Sequence, residues 1–140
     1  MLVTTRQVEE MRLDPTHRVF DARTAERYRG ENETIDPVAG HIPGAVSAPY
    51  LDNLTEEGTF RPPEELRAHY QALLGGLPAN RVAFYCGSGV TSIHNILAMR
   101  VAGYGEAGYG EAILGEAKLY AGSWSEWIAP RTRPVGLGEE

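Results

Sequence analysis

The sequence predicts an α/β layer architecture with a largely parallel sheet. Strand-like runs, Arg18-Val-Phe-Asp21 and Arg81-Val-Ala-Phe-Tyr-Cys86, alternate with stretches of helical periodicity, the pattern of strands joined by crossover helices. The length of 140 residues fits one domain, spanning 1–140, better than two and is enough to bury a core.

Each element follows from local signals. Thr4 and Gln7 form a capping box ahead of Val8, Met11 and Leu13, which reads as a short first helix. Arg18–Asp21 is the first strand; Thr24-Ala-Glu-Arg-Tyr-Arg29 then turns helical, and Gly30 stops it. From Glu31 to Tyr50 the chain is rich in Gly and Pro, as in Gly40-His-Ile-Pro-Gly44, and reads as a loop with one short strand at Ala45 to Ser47. Pro62 and Pro63 suit the first turn of a helix whose Leu66, Tyr70, Leu73 and Leu74 share a face until Gly75-Gly76. Arg81–Cys86 is the clearest strand, and Ile93, Ile96, Leu97, Arg100 and Val101 mark a helix that begins near Thr91. Residues 103–107 and 108–112 repeat the pentapeptide Gly-Tyr-Gly-Glu-Ala, too short for a solenoid, so about 103–117 reads as a surface insertion. Lys118-Leu-Tyr120 is the last strand, and Ser123-Trp-Ser-Glu126 is a capping box whose helix places Trp124 and Trp127 in the core. The tail from about 130 to 140 frays or packs as coil.

Composition excludes several classes of function. Thirteen Lys+Arg against 19 Asp+Glu give a net charge of −6, and Lys118 is the sole lysine, which argues against a nucleic-acid-binding surface. No apolar run approaches the roughly 18 residues of a membrane span. The one cysteine, Cys86, rules out an intrachain disulfide, a Cys-x-x-Cys pair and a multi-thiolate zinc site. His17, His69 and His94 show no ligand spacing, so neither a metal nor a cofactor is expected. The start lacks a basic region followed by an apolar one, and the expected location is cytoplasmic.

Chemistry concentrates in Tyr85-Cys86-Gly87-Ser88-Gly89-Val90-Thr91, a sulfur at a strand end followed by two glycines and a helix start. Glycines at 87 and 89 permit positive φ, so that several N–H groups can converge beside the sulfur. The helix behind presents unpaired N–H groups and a positive dipole end, which favour a thiolate and a bound oxyanion. The residues alone leave a second reading open: a buried cysteine at the end of a core strand.

Four segments in order, Asp21-Ala-Arg23, Gly40-His-Ile-Pro-Gly-Ala45, the Cys86 loop and Gly122-Ser-Trp-Ser-Glu-Trp127, make the chain resemble the rhodanese family. More narrowly, it resembles the catalytic C-terminal half of the two-domain thiosulfate and 3-mercaptopyruvate sulfurtransferases. The resemblance implies a three-layer domain, a central sheet flanked by helices, and a persulfide mechanism. In that mechanism the Cys86 thiolate takes a sulfane sulfur from a small anionic donor and passes it to cyanide, a thiol or a protein acceptor. It also implies that Gly87, Ser88, Gly89, Val90 and Thr91 hold persulfide and donor, and that Arg27 meets the donor's negative charge; a guanidinium suits sulfonate or carboxylate oxygens. Asp21, Arg23 and His41 are expected to be structural, and Glu126 to cap its helix; Arg29 has no assigned role.

The donor is not fixed by these residues. The Cys-Gly-Ser-Gly-Val-Thr loop is similar to that of mercaptopyruvate enzymes, whose second substrate arginine falls nine residues after the first; that position here is Asp36. Those enzymes also bring active-site groups from a preceding domain, so a second domain-like chain or a homodimer is expected to cover the site. Rival readings are a non-catalytic binding module, a persulfide carrier serving a partner protein, and a phosphatase. The phosphatase fares worst, because Ser92 stands where a Cys-x5-Arg loop would carry its arginine.

Overall fold

A computed structural model describes residues 2–87, 91–103 and 117–138. In chain order the elements are α1 (Thr5–Met11), β1 (Arg18–Asp21), α2 (Ala25–Arg29), β2 (Val46–Ser47), α3 (Pro63–Leu74), β3 (Val82–Tyr85), α4 (Ser92–Val101), β4 (Lys118–Leu119) and α5 (Ser123–Trp127), with 3-10 turns at Tyr50–Asn53 and Ala79–Arg81. The strands pair in the order β2-β1-β3-β4, all parallel. The register sets Asp21 opposite Tyr85, so β1 and β3 end side by side.

Alternation along these strands divides the core into two layers. Val19, Ala83 and Tyr85 face one side with Val8, Met11, Tyr120, Trp124 and Trp127 of the α1 and α5 layer. Phe20, Val82 and Phe84 face the other, against Leu66, Tyr70 and Leu74 of α3 and Ala98 and Met99 of α4. Burial on both faces is why β1 and β3 read as near-continuous apolar runs. The Phe20 and Phe84 rings stack across the β1–β3 pair with centroids 5.2 Å apart.

Local signals explain most element ends. Thr4 and Gln7 form the reciprocal capping box at α1. Gly30, at φ 84°, and Gly75, at φ 57°, close α2 and α3 in the left-handed conformation that a side chain would strain. The fold adds one packing detail at α4 and corrects one expectation at α5. Ile93, Leu97 and Val101 lie on the exposed side of α4, whose buried residues are Ser92, Asn95, Ala98 and Met99. At α5 Ser123 does not cap: it is itself helical at φ 56°, and its hydroxyl bonds Cys86 and Tyr120 instead. Glu126 accepts from the Thr5 hydroxyl at 2.7 Å, tying α5 to α1.

The chain beyond α5 packs as coil up to residue 138: Gly136 exchanges backbone hydrogen bonds with His41. His41 is fully buried, stacked on Tyr28 and bonded through Nδ1 to the Tyr28 carbonyl, a structural placement. The repeated pentapeptide falls almost wholly outside the described residues, as do Ser88, Gly89 and Val90. No described helix is long and apolar enough to cross a membrane.

Candidate active site

Strand order alone locates a crevice. The connection after β1 leads to β2 on one side, whereas β3 lies on the other, so the carboxyl ends of β1 and β3 flank a switch point, where open α/β sheets bind ligands. The residue after β3 is Cys86, and the turn after β1 leads into α2 with Arg27. A cleft of about 220 Å³ opens there, lined by Arg27, Ile35, Asp36, Cys86, Gly87, Thr91 and Ser125. Four of the sequence-predicted site residues are brought together in this way: Cys86, Gly87, Arg27 and Thr91 line the cleft, with Thr91 next to the first residue of α4. Ser88, Gly89 and Val90 lie outside the described residues.

Cys86 is 2 % exposed, and it lines the cleft. Its backbone is pinned from α5. The Cys86 N–H donates to Ser123 Oγ at 3.0 Å, and the Trp124 N–H donates to the Cys86 carbonyl at 2.9 Å. Gly87 is held likewise: its carbonyl accepts both the N–H and the hydroxyl of Ser125, at 3.0 and 2.8 Å. Ser123 and Ser125 are site-forming residues that sequence reasoning missed. The signal was the Gly-Ser-Trp-Ser segment, read as a helix cap because the bond to Cys86 spans 37 residues. The expected positive φ is absent at Gly87. A Cβ at that position would lie 3.6 Å from Arg27 Nη1, an ordinary contact that puts the guanidinium beside the start of the loop.

On the other side of the cleft, Arg27 and Asp36 end a ladder of alternating charge. Asp21 and Arg23 form a buried, two-pronged pair, with Arg23 Nη2 at 2.7 Å from Asp21 Oδ2 and 2.6 Å from the Gly40 carbonyl. Burial alone would weaken the charge on Arg23, but its bonds to Asp21 outweigh that and hold its pKa above the ordinary value. Glu33 bridges Arg23 and Arg27, at 3.8 and 3.5 Å. Desolvation pushes the Glu33 carboxyl up; the N–H groups of Asp36 and Ile35 and the two guanidiniums outweigh it and keep it below 4.5. Asp36 ends the ladder on Arg27 Nη2 at 2.6 Å. Arg27 is thus a paired residue, about one-fifth exposed, and not a solvated helix charge.

Behind the cleft a buried polar network seats the first turn of α4. Asn53 Nδ2 donates to Asn95 Oδ1 and reaches His94 Nδ1 at 3.2 Å, while Asn53 Oδ1 accepts the Tyr70 hydroxyl. Asn95 Nδ2 donates in turn to the Ala48 carbonyl at 2.8 Å. Satisfied on every arm, such a network fixes the helix rather than merely packing it.

Fold and cleft together define a class: parallel α/β domains that present one thiol at the switch point of the sheet. Comparison with known proteins gives that class its family. The chain belongs to the family of rhodanese-like domains, whose model matches residues 4–130. It is 50 % identical over 121 residues to a Pseudomonas aeruginosa protein named "Probable 3-mercaptopyruvate sulfurtransferase", covering 86 % of this chain and 39 % of that protein. Human 3-mercaptopyruvate sulfurtransferase is 38 % identical over 124 residues, covering 87 % of this chain and 38 % of the human one. Rat thiosulfate sulfurtransferase is 35 % identical over 144 residues, covering 99 % and 45 %. The chain therefore spans less than half the length of these relatives. Among solved structures, the anaerobic ergothioneine biosynthesis enzyme of Chlorobium limicola superposes with a TM-score of 0.76 at 23 % identity, covering 98 % of this chain and 32 % of that one, a likeness of fold.

Proposed function

We propose that this domain is a sulfurtransferase that carries a sulfane sulfur as a persulfide on Cys86. The observation that supports it most is the placement of Cys86 and Arg27 in one cleft at the switch point, with the Cys86 backbone pinned on both sides. The names of the relatives point the same way and suggest thiosulfate or 3-mercaptopyruvate as donor. With thiosulfate, the Cys86 thiolate attacks the outer sulfur, the sulfur–sulfur bond breaks and sulfite leaves with the electron pair. With 3-mercaptopyruvate the carbon–sulfur bond breaks, and the departing three-carbon unit takes a proton to become pyruvate. Cyanide or a thiol then attacks the outer persulfide sulfur and releases the Cys86 thiolate.

In this reading Arg27 faces the donor's negative charge, and Gly87 to Thr91, with the Ser88 and Thr91 hydroxyls, hold donor and persulfide. This chain has no second thiol, so the persulfide is discharged to an outside acceptor. A second rhodanese-like domain or a second copy covers the cleft, in keeping with the greater length of the relatives. The test is thiocyanate formation from cyanide with each donor. Turnover that disappears in Cys86→Ser is expected; no turnover with either donor would leave a binding module.

A further inference from the structure

The charge ladder bears on which donors the cleft accepts. From the sheet outward it runs Asp21, Arg23, Glu33, Arg27, Asp36, so three carboxylates face two guanidiniums and the ladder carries one negative charge in excess. Of these carboxylates Asp36 is the one that lines the same cleft as Cys86, and its side chain is only 13 % exposed. It also occupies one arm of the guanidinium that would meet a donor, with Arg27 Nη2 at 2.6 Å from Asp36 Oδ2, while Nη1 lies on the Gly87 side. Arg27 Nε is buried and has no hydrogen-bond partner among the described residues. An anion entering the cleft thus meets a guanidinium already half neutralised and a carboxylate shielded from solvent.

We propose that Asp36 is a specificity-determining residue, which disfavours entering reagents in proportion to their negative charge. It thereby sets a monoanionic donor such as 3-mercaptopyruvate ahead of the thiosulfate dianion. The donor part of this inference rests on the sulfurtransferase reading; the electrostatic part does not. Coulomb energy scales with the charge of the incoming group, so removing the Asp36 charge helps a dianion by about the square of the factor by which it helps a monoanion. A partly buried carboxylate keeps such an effect in ordinary salt, whereas a surface one loses it.

Two readouts separate the parts. Cys86 is the only thiol, so its alkylation by iodoacetate, an anion, and by iodoacetamide, a neutral reagent of similar size, reports the field at the sulfur without any turnover. The ratio of the two rates, referred to the same ratio in the urea-unfolded chain, is expected to rise about threefold in Asp36→Asn and in Asp36→Ala, and to fall in Arg27→Ala. In the same variants kcat/KM for thiosulfate should rise about tenfold and for 3-mercaptopyruvate about threefold. An alkylation ratio that stays the same or falls in folded Asp36 variants overturns the proposal, whatever the donors do. If that ratio rises but the wild type transfers no sulfur, the charge role of Asp36 stands and the sulfurtransferase reading falls. If it rises and the wild type turns over, yet the two donors respond equally, the field effect stands and the donor preference assigned to Asp36 is withdrawn.

Discussion

Ser123 holds the Cys86 backbone at a cost in its own conformation, and both halves of that arrangement can be measured. Its hydroxyl is fully buried, accepts the Cys86 N–H at 3.0 Å and donates to the Tyr120 carbonyl at 2.8 Å, while its backbone sits at φ 56°. Ser123→Ala deletes both bonds without altering the strain. An orphaned buried donor costs about 1–3 kcal/mol, and the Tyr120 carbonyl, which also loses its partner, brings the expected loss to about 2–4 kcal/mol. Ser123→Gly deletes the same bonds but relieves the left-handed conformation, worth about 1 kcal/mol, so it should be less harmful than alanine by that margin. Urea unfolding of the three proteins gives these differences, with a constant slope as the sign that the same surface is exposed in each. The alanine variant should also alkylate at Cys86 with altered rate, because the strand end is no longer pinned. A loss below about 0.5 kcal/mol for Ser123→Ala, within the range of an ordinary surface substitution, or a glycine variant less stable than the alanine one, would refute the role given to Ser123.

Three further outcomes are expected. Arg27→Ala should raise KM for either donor about tenfold or more, since a charge-assisted contact worth about 1.5–3 kcal/mol is lost; unchanged kinetics with an intact circular dichroism spectrum would remove Arg27 from the site. Burial lowers the pKa of His94 and of His69 below 6.5, so the unfolded chain binds more protons than the folded one in the window between those lowered values and 6.5. Stability should therefore be complete above pH 6.5 and fall as pH drops through that window, and His94→Gln should flatten the fall when Tm is followed against pH. Asn53→Ala strands the Tyr70 hydroxyl and Asn95 Oδ1, and calorimetry should register a loss of about 2–4 kcal/mol.

What could be read in the sequence is what short-range chemistry determines. The capping box of Thr4 and Gln7, the glycines that stop α2 and α3, and the apolar runs of β1 and β3 all act within a few residues, and each is found where its signal lies. The family segments were legible for the same reason, since Asp21-Ala-Arg23 and the Cys86 loop are contiguous strings. Side-chain roles that join distant segments were not. Ser123 looks like a helix cap from its neighbours, yet its partner is the residue that follows β3. The apolar spacing of Ile93, Leu97 and Val101 marks a helix without saying which face is buried, because an outward apolar stripe has the same period as an inward one. Asp36 reads as a departure from one enzyme type; only the fold places it on Arg27.

The central claim is that Cys86 carries sulfur, and intact-mass spectrometry tests it most directly. The purified chain is exposed to thiosulfate or to 3-mercaptopyruvate, freed of excess donor and weighed, then weighed again after addition of cyanide. The account predicts a gain of one sulfur atom, located on the peptide containing Cys86, absent in Cys86→Ser and removed by cyanide as thiocyanate. A chain whose mass does not change with either donor, or a gain that survives in Cys86→Ser, would contradict it.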